Sequence, residues 1–165
     1  MGDQRVAPEN LGLWDQHLGI RWVHDNIHKF GGDPSKVTLW GPSAGGGSVA
    51  LQMLFPGNKG LFRRVISTGT TATLPYHGEP SCSRKERLRQ MGENVAKALG
   101  CPTSPPGDMV ECLSSVPNEA LLNVSWAREH VFGECVYHRF GPVIDGVFIK
   151  DIAYESFQIW HYGGY

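Results

Sequence analysis

The sequence predicts an α/β fold with a mostly parallel sheet and flanking helices. Two short apolar runs, residues 37–40 and 62–67, are rich in the β-branched and aromatic residues that favour buried strands. A helical pattern over residues 48–55 lies between them, and a strand–helix–strand order implies that the two strands are parallel. Because a parallel sheet is buried on both faces and needs several strands, we expect this fold to be incomplete at both ends.

The first predicted element is an amphipathic helix over residues 11–30 that packs on the sheet. Asn10 can cap its start, and Gly31-Gly32 ends it. Six apolar residues keep close to helical spacing and are expected to face inward: Leu11, Trp14, Leu18, Trp22, Ile27 and Phe30. An Asp33-Pro34 turn then leads into the first strand.

The pattern after residue 69 is looser. Residues 70–80 are predicted to form a loop, 83–99 a basic amphipathic helix that stops at Gly100, and 117–124 a short helix. The inward positions of the longer helix are Leu88, Met91, Val95 and Leu99. Its basic run, residues 84–87, is interpreted as a solvated face rather than an anion site.

Residues 41–45, Gly-Pro-Ser-Ala-Gly, fit the GxSxG pattern at the junction between the first strand and the next helix. In that context the motif forms a sharp turn that presents a nucleophilic serine above the sheet edge. We therefore expect Ser43 in a strained backbone conformation, and we expect a Cβ at Gly41 or Gly45 to collide with its neighbours. Since the chain has 21 glycines, the alternative is an ordinary turn between a buried strand and a helix.

Four ordered segments resemble the type B carboxylesterase and cholinesterase family, which has the α/β-hydrolase fold. They are APENLGLWDQ at residues 7–16, IRWV at 20–23, NIHKFGGDP at 26–34 and VTLWGPSAGGG at 37–47. The resemblance is clearest over 7–69 and 99–146, and it fades over 147–165. It implies that residues 1–165 are one partial domain of this type, an internal fragment of the family's fold.

The resemblance implies a serine esterase mechanism with no cofactor. Ser43 would be the nucleophile, and the N–H of Ala44 would donate to the oxyanion. The serine also needs a histidine and a carboxylate, which in this family lie farther downstream than Tyr165, while further oxyanion donors come from an upstream glycine-rich loop. None of the seven histidines fits the family's catalytic position. We therefore expect the fragment to be inactive by itself and to need the remainder of the hydrolase domain for stable folding.

Two departures from the family pattern concern the substrate, which is expected to be a small-molecule ester. The family places Glu immediately before its serine, where this chain has Pro42, so a negative charge beside the nucleophile is lost. Residues 142–146, PVIDG, match a motif that follows the family's acyl pocket, and they place the pocket positions at Val136 and His138 instead of two phenylalanines. Both departures disfavour choline esters and favour neutral carboxylic esters.

Four cysteines and a sequon suggest an oxidising compartment. Cys101 and Cys112 enclose a short segment rich in Pro and Gly, and they match two positions that are paired in the resembled family. Cys82 and Cys135 are equally well interpreted as free or buried thiols. Asn123-Val124-Ser125 is a candidate glycosylation site. We therefore expect a secreted or ER-lumenal protein, although the first residues of the chain lack the apolar core of a signal peptide.

Charge and hydropathy exclude several partners. A formal net charge of −1 gives no basis for nucleic-acid binding, and no apolar run approaches the roughly 18 residues of a membrane span. His24 and His28 could share one helix face, but a glutamate after the first histidine and a third ligand are missing, so no metal site is predicted.

Two other function classes stay open: a non-catalytic cholinesterase-like adhesion or binding module, which typically lacks the serine, and a nonfunctional truncated gene product.

Overall fold

The computed structural model describes residues 8–69, 84–126 and 141–150 of the chain. The chain divides into two compact units. The first, which we call the elbow unit after the sharp turn at residues 41–45, comprises Asn10–His77 and Pro142–Tyr165. The second, the helical unit, comprises Met1–Glu9 and Gly78–Gly141. The polypeptide thus leaves the elbow unit, forms most of the helical unit and then returns.

The elbow unit contains the predicted strand–helix–strand arrangement. Strand β1, Thr38–Pro42, pairs in parallel with β2, Arg64–Thr68, in a register that places Trp40 beside Ile66. Helix α2, Ala44–Leu54, connects the strands and packs on both of them. The α/β class and the parallel pairing are therefore confirmed for these elements. The helix begins at Ala44 rather than at residue 48, because packing on the strands stabilises a glycine-rich first turn whose intrinsic helix propensity is low.

The hydrophobic core of the elbow unit joins α2 to helix α1, Leu11–Asn26, and to the segment around Phe148. Its buried members are Leu13, Ala50, Leu51, Phe148 and Ile149. The ring of Trp14 meets those of Phe55 and Phe148 edge-on, at centroid distances of 5.2 and 5.1 Å, while Phe55 and Phe148 stack at 4.1 Å. Edge-to-face and stacked contacts of this kind add to the stabilisation that burial of the rings provides.

The buried face of α1 differs from the predicted one. Leu13 and His17 are its buried residues. Four residues that were expected to face inward are instead more than half exposed: Leu11, Leu18, Trp22 and Phe30. The α-helix also ends at Asn26, and Ile27–Phe30 continue as a 3-10 turn before Gly31. The prediction was wrong at these positions because apolar spacing cannot show that a histidine and its polar partners form part of the contact between α1 and α2.

A buried polar network forms part of the contact between α1 and α2. Asn58 is its centre, since its Oδ1 lies 2.7 Å from Nδ1 of His17 and its amide donates to the backbone carbonyl (2.8 Å) and the side-chain oxygen (2.7 Å) of Gln52. Gln52 in turn donates to the carbonyl of Leu13 at 2.8 Å. Because Asn58 Oδ1 can only accept, this arrangement assigns the proton to Nδ1 of His17. A buried polar group left without a partner would cost about 1–3 kcal/mol, so the network fixes how the two helices meet.

The helical unit contains α3 (Arg84–Ala98), α4 (Pro106–Ser115) and α5 (Asn118–Trp126). Met91 and Val95 of α3 are buried, with Leu88, Leu99, Leu113, Leu121 and Val124 packed around them. The predicted inward face of α3 is therefore confirmed. Gly100 follows the helix with a φ of 72°, a left-handed conformation that glycine adopts without the steric cost of a Cβ.

Helix α4 occupies a segment for which the sequence analysis predicted no helix or strand. Cys101 and Cys112 form the expected disulfide, with Cα atoms 5.8 Å apart, and Cys112 lies on α4. Pro106 is the first residue of the helix, a position where the N–H has no intrahelical partner and its loss costs little. Met109 is buried beside Cys101. The Pro-rich stretch therefore marks the start of a helix rather than its absence.

One side of the two-stranded sheet exposes two large apolar side chains. Trp40 and Ile66, neighbours in register, are 65% and 53% exposed, while Leu39 and Val65 are half-buried. Alternate residues of a strand point to opposite faces, so the half-buried pair lies on the face that α2 covers. Within the three described segments, none of the helices has the length and apolar character needed to cross a bilayer.

Candidate active site

Ser43 is the single residue between the last residue of β1 and the first residue of α2. Its backbone has φ 52° and ψ −123°, a conformation that non-glycine residues rarely adopt and that costs of order 1–3 kcal/mol. The turn is held by the Ser43 N–H, which donates to the carbonyl of Thr68 at 2.9 Å. The side chain is exposed, and its hydroxyl makes no capping hydrogen bond to α2. The GxSxG interpretation requires a strained serine whose hydroxyl is exposed and does not cap the following helix, and Ser43 meets both conditions.

The two motif glycines differ in their surroundings. A Cβ on Gly41 would lie 2.2 Å from the carbonyl oxygen of Gly45, which is a severe clash with backbone. A Cβ on Gly45 would lie 3.5 Å from Cδ of Pro42, an ordinary van der Waals contact. The expectation of a collision is therefore confirmed for Gly41 and wrong for Gly45, because only Gly41 lies directly beneath the first turn of α2.

Ala44 begins α2, and its N–H belongs to the first turn, where backbone donors have no intrahelical acceptor. The partial positive charge of a helix N-terminus is concentrated on these groups. Ala44 is also exposed. The N–H that follows Ser43 is therefore suited to stabilise negative charge that develops beside the serine hydroxyl.

The end of β2 supports this turn from below. The Ser67 hydroxyl donates to the carbonyl of Gly46 at 3.0 Å, which ties the first turn of α2 to the strand. The indole N–H of Trp40 donates to the Thr68 hydroxyl at 3.3 Å. Pro42 pairs in register with Thr68 at the last position of β1, a strand end where proline is tolerated. Together these contacts fix the position from which Ser43 projects.

No histidine or carboxylate hydrogen-bonds Ser43 within the part of the chain that the structure describes. His17 is buried against Asn58, and His24 lies 3.2 Å from its neighbour Asp25. His24 lies on α1 and His28 on the following 3-10 turn, and the described residues contain no group of three metal-ligating side chains. The other four histidines, residues 77, 130, 138 and 161, lie outside the described segments.

Hydrogen bonds lower the pKa values of two carboxylates, Asp33 and Glu86. Hydrogen bonds from the hydroxyl and the N–H of Ser35 lower the pKa of Asp33, which precedes β1 and is therefore at the opposite end of that strand. On α3, a hydrogen bond from Arg89 lowers the pKa of Glu86. Both contacts are explained as local surface pairs, and Asp33 lies at the wrong end of β1 to orient a catalytic histidine at the turn.

Several other predicted site residues fall outside the described segments. Val136 and His138, the acyl-pocket candidates, are among them, as are Cys82 and Cys135. Asn123 is described, and it is exposed on α5. The structure thus brings Ser43, Ala44, Gly41 and Gly45 together in one turn.

Two structural residues near the elbow unit's core were missed by the sequence analysis. Asn10 does not cap α1 with its side chain; its amide donates to the carbonyl of Val143 and accepts from the Val143 N–H, both at 2.9 Å. Asp145 accepts from three successive N–H groups, those of Val147, Phe148 and Ile149, at 2.9–3.0 Å. Asp145 stood in a family-like segment only as a marker of resemblance, whereas the predicted side-chain cap at Asn10 was wrong because that side chain bonds to Val143.

The sequence model of the Carboxylesterase family matches residues 1–159. The chain belongs to the carboxylesterase family. This family has the α/β-hydrolase fold. A member of the carboxylesterase family thus has a strand, a sharp turn at Ser43 and a helix in direct succession.

Curated relatives agree with this membership. The chain is 39% identical to Cholinesterase 2 of Branchiostoma lanceolatum over 92% of its own length and 43% of the relative's. It is 40% identical to bile salt-activated lipase of Bos taurus, over 91% of the chain and 24% of that protein. Acetylcholinesterase of Myxine glutinosa is 39% identical, over 88% of the chain and 41% of that protein. The chain thus spans less than half the length of these carboxylesterase-family relatives.

Proposed function

We propose that this chain carries the nucleophile of a serine carboxylic ester hydrolase. The observation that carries the proposal is the strained turn at Ser43, with its exposed hydroxyl between a parallel strand and a helix N-terminus. The Ser43 oxygen would attack the carbonyl carbon of an ester, the alcohol would leave, and water would then release the acid from the acyl-enzyme. The Ala44 N–H would donate to the oxyanion of each tetrahedral intermediate.

The proposal requires groups that lie beyond this chain. A serine hydroxyl is un-ionised at neutral pH and needs a histidine to take its proton and a carboxylate to orient that histidine. The chain spans 24–43% of its relatives' lengths, which leaves room for both groups in a longer protein. We infer that the isolated chain is inactive and that the missing part of the hydrolase domain supplies them.

The same missing part would cover the exposed side of the sheet. Trp40 and Ile66 are neighbours in register and both are more than half exposed. Parallel sheets are normally covered on both faces, so these two side chains would remain in water in the isolated chain. We therefore expect the isolated chain to unfold over a broad temperature range. A sharp cooperative transition, accompanied by strong amide protection in β1 and β2, would contradict this expectation.

We propose a neutral carboxylic ester as the substrate and an oxidising compartment as the location. Pro42 is exposed beside Ser43 and brings no charge to the site, which removes one source of attraction for a cationic ester. The disulfide between Cys101 and Cys112 supports a secretory location, since such bonds persist mainly in oxidising environments.

Labelling with a fluorophosphonate, which reacts with activated serines, tests the proposal. In the longer protein that contains this chain, we expect labelling of Ser43 and ester hydrolysis that Ser43→Ala reduces by about 10⁶-fold, as for other serine nucleophiles. Ser114→Ala is a matched control, because Ser114 is exposed on α4 and its hydroxyl donates to the carbonyl of Val110 on the same helix. Hydrolysis that survives Ser43→Ala would overturn the assignment. A folded longer protein that neither labels nor hydrolyses esters would favour the adhesion-type alternative.

A further inference from the structure

Helix α5 has two clearly different faces. Leu121 and Val124 pack against the cluster around Met91 and Val95, so they form the inner face of the helix. Leu122 and Asn123 lie on the outer face and are exposed, Leu122 to 58%. Asn123 is therefore exposed to solvent, while Leu121 and Val124 anchor the helix.

Asn123 is the first residue of the tripeptide Asn-Val-Ser, the acceptor pattern for N-linked glycans. The other asparagines of the chain lack Ser or Thr two positions later: Asn10, Asn26, Asn58, Asn94 and Asn118. Asn118 is useful for comparison, because it is also exposed and also lies on α5. The two asparagines differ in the sequon and share the same helix.

The unit that contains α5 also contains the disulfide between Cys101 and Cys112. A disulfide of this kind forms in the secretory pathway, where glycan transfer to asparagine also takes place. The sequon and the disulfide agree on one compartment, and the exposure of Asn123 means that a glycan there would not displace a buried side chain.

We propose that Asn123 carries an N-linked oligosaccharide. In the transfer, Nδ2 of Asn123 bonds to C1 of the first sugar of a lipid-linked oligosaccharide diphosphate. The bond between C1 and the diphosphate oxygen breaks, the lipid diphosphate leaves with the electron pair, and the amide loses one proton. No oxidant or reductant is needed. The Ser125 hydroxyl completes the acceptor pattern.

The folded helix can accommodate the product. The glycan would project from the exposed face and lie over the neighbouring Leu122 side chain, while the buried contacts of Leu121 and Val124 stay in place. The modification is independent of the chemistry proposed at Ser43, so either proposal can fail without the other.

Translation of the full chain behind a cleavable signal sequence, in the presence of microsomes, tests the proposal. Transfer precedes folding, so a variant that folds poorly is still scored. We expect one step of reduced gel mobility that peptide-N-glycosidase F reverses, leaving Asp at position 123 in the peptide mass spectrum. Asn123→Gln and Ser125→Ala should abolish the step, while Asn118→Gln and Ser125→Thr should retain it.

Two results would overturn the proposal. One is a chain whose signal sequence is cleaved but whose mobility is unchanged by the glycosidase, while an added reporter sequon at its C-terminus is modified. The other is a glycosidase-sensitive step that persists in Asn123→Gln.

Discussion

Gly41 and Gly45 hold related places in one motif but are constrained to different degrees. A Cβ on Gly41 would be 2.2 Å from a backbone oxygen, and no side-chain rotation can relieve that contact. The nearest atom to a Cβ on Gly45 is a ring carbon of Pro42 at normal contact distance. At the scale of single residues, only the first glycine is required for α2 to approach β1 so closely.

We predict that Gly41→Ala lowers the free energy of unfolding by at least about 1–3 kcal/mol, because α2 must move away from the strand. Gly45→Ala is the matched control and should be neutral or stabilising by up to about 1 kcal/mol, since alanine favours a helix over glycine. Urea unfolding of the longer protein, followed by tryptophan fluorescence, measures both. Equal losses in the two variants would contradict the close approach at Gly41.

Residue-level chemistry at the turn was predictable because it is local. Five consecutive residues determine where Ser43 and Ala44 lie, and the flanking strand and helix were visible in the apolar pattern. The roles of Asn10 and Asp145 were not predictable, because their partners depend on how distant segments fold. The Asn10 side chain bonds to Val143, and nothing in the residues around Asn10 indicates that contact.

At the scale of elements, features set by the local sequence were again predictable, and contacts between distant segments were not. The strands, α2 and the inner face of α3 followed from runs and periodicity. The buried face of α1 did not, since His17, Gln52 and Asn58 form a polar part of its contact with α2, beside the apolar core around Leu13. Helix α4 was missed because its Pro and Gly content suggested a loop, although Pro106 at the first position and Met109 facing inward are consistent with a helix.

The polar network between α1 and α2 gives a second prediction. We expect Asn58→Ala to lower the free energy of unfolding by at least about 2–3 kcal/mol, because His17 and Gln52 would both lose buried hydrogen-bond partners. Asn58→Asp should also be destabilising, since an ionised carboxylate cannot donate to the Gln52 carbonyl. Urea unfolding of the longer protein provides the measurement.

Asn26→Ala is the control for this prediction. Asn26 donates to the Trp22 carbonyl at 2.9 Å, but the bond is at the surface, where a lost partner is replaced by water. Its loss should therefore stay within about 0.5 kcal/mol. Similar effects at positions 26 and 58 would indicate that the buried network contributes no more than a surface hydrogen bond.

At the scale of the whole molecule, the helical unit depends on its disulfide. The bridge closes a sequence separation of 11 residues and holds α4 beside the end of α3. We predict that the Cys101→Ser/Cys112→Ser double variant loses about 2–3 kcal/mol of stability, as expected for a short loop. Hydrogen exchange of α3 and α4 amides measures the loss. Unchanged protection in the double variant, relative to a Ser114→Ala control, would contradict the prediction.

The hydrogen bonds between Asn10 and Val143 join residues that are 133 positions apart. During synthesis, α2 cannot receive Phe148 and Ile149 until residues 148 and 149 have left the ribosome, whereas the contacts among α3, α4 and α5 close over short separations. The nascent polypeptide would therefore complete its disulfide-bonded portion first. The core behind α2 would be completed later, and until then its apolar side chains would be open to chaperones.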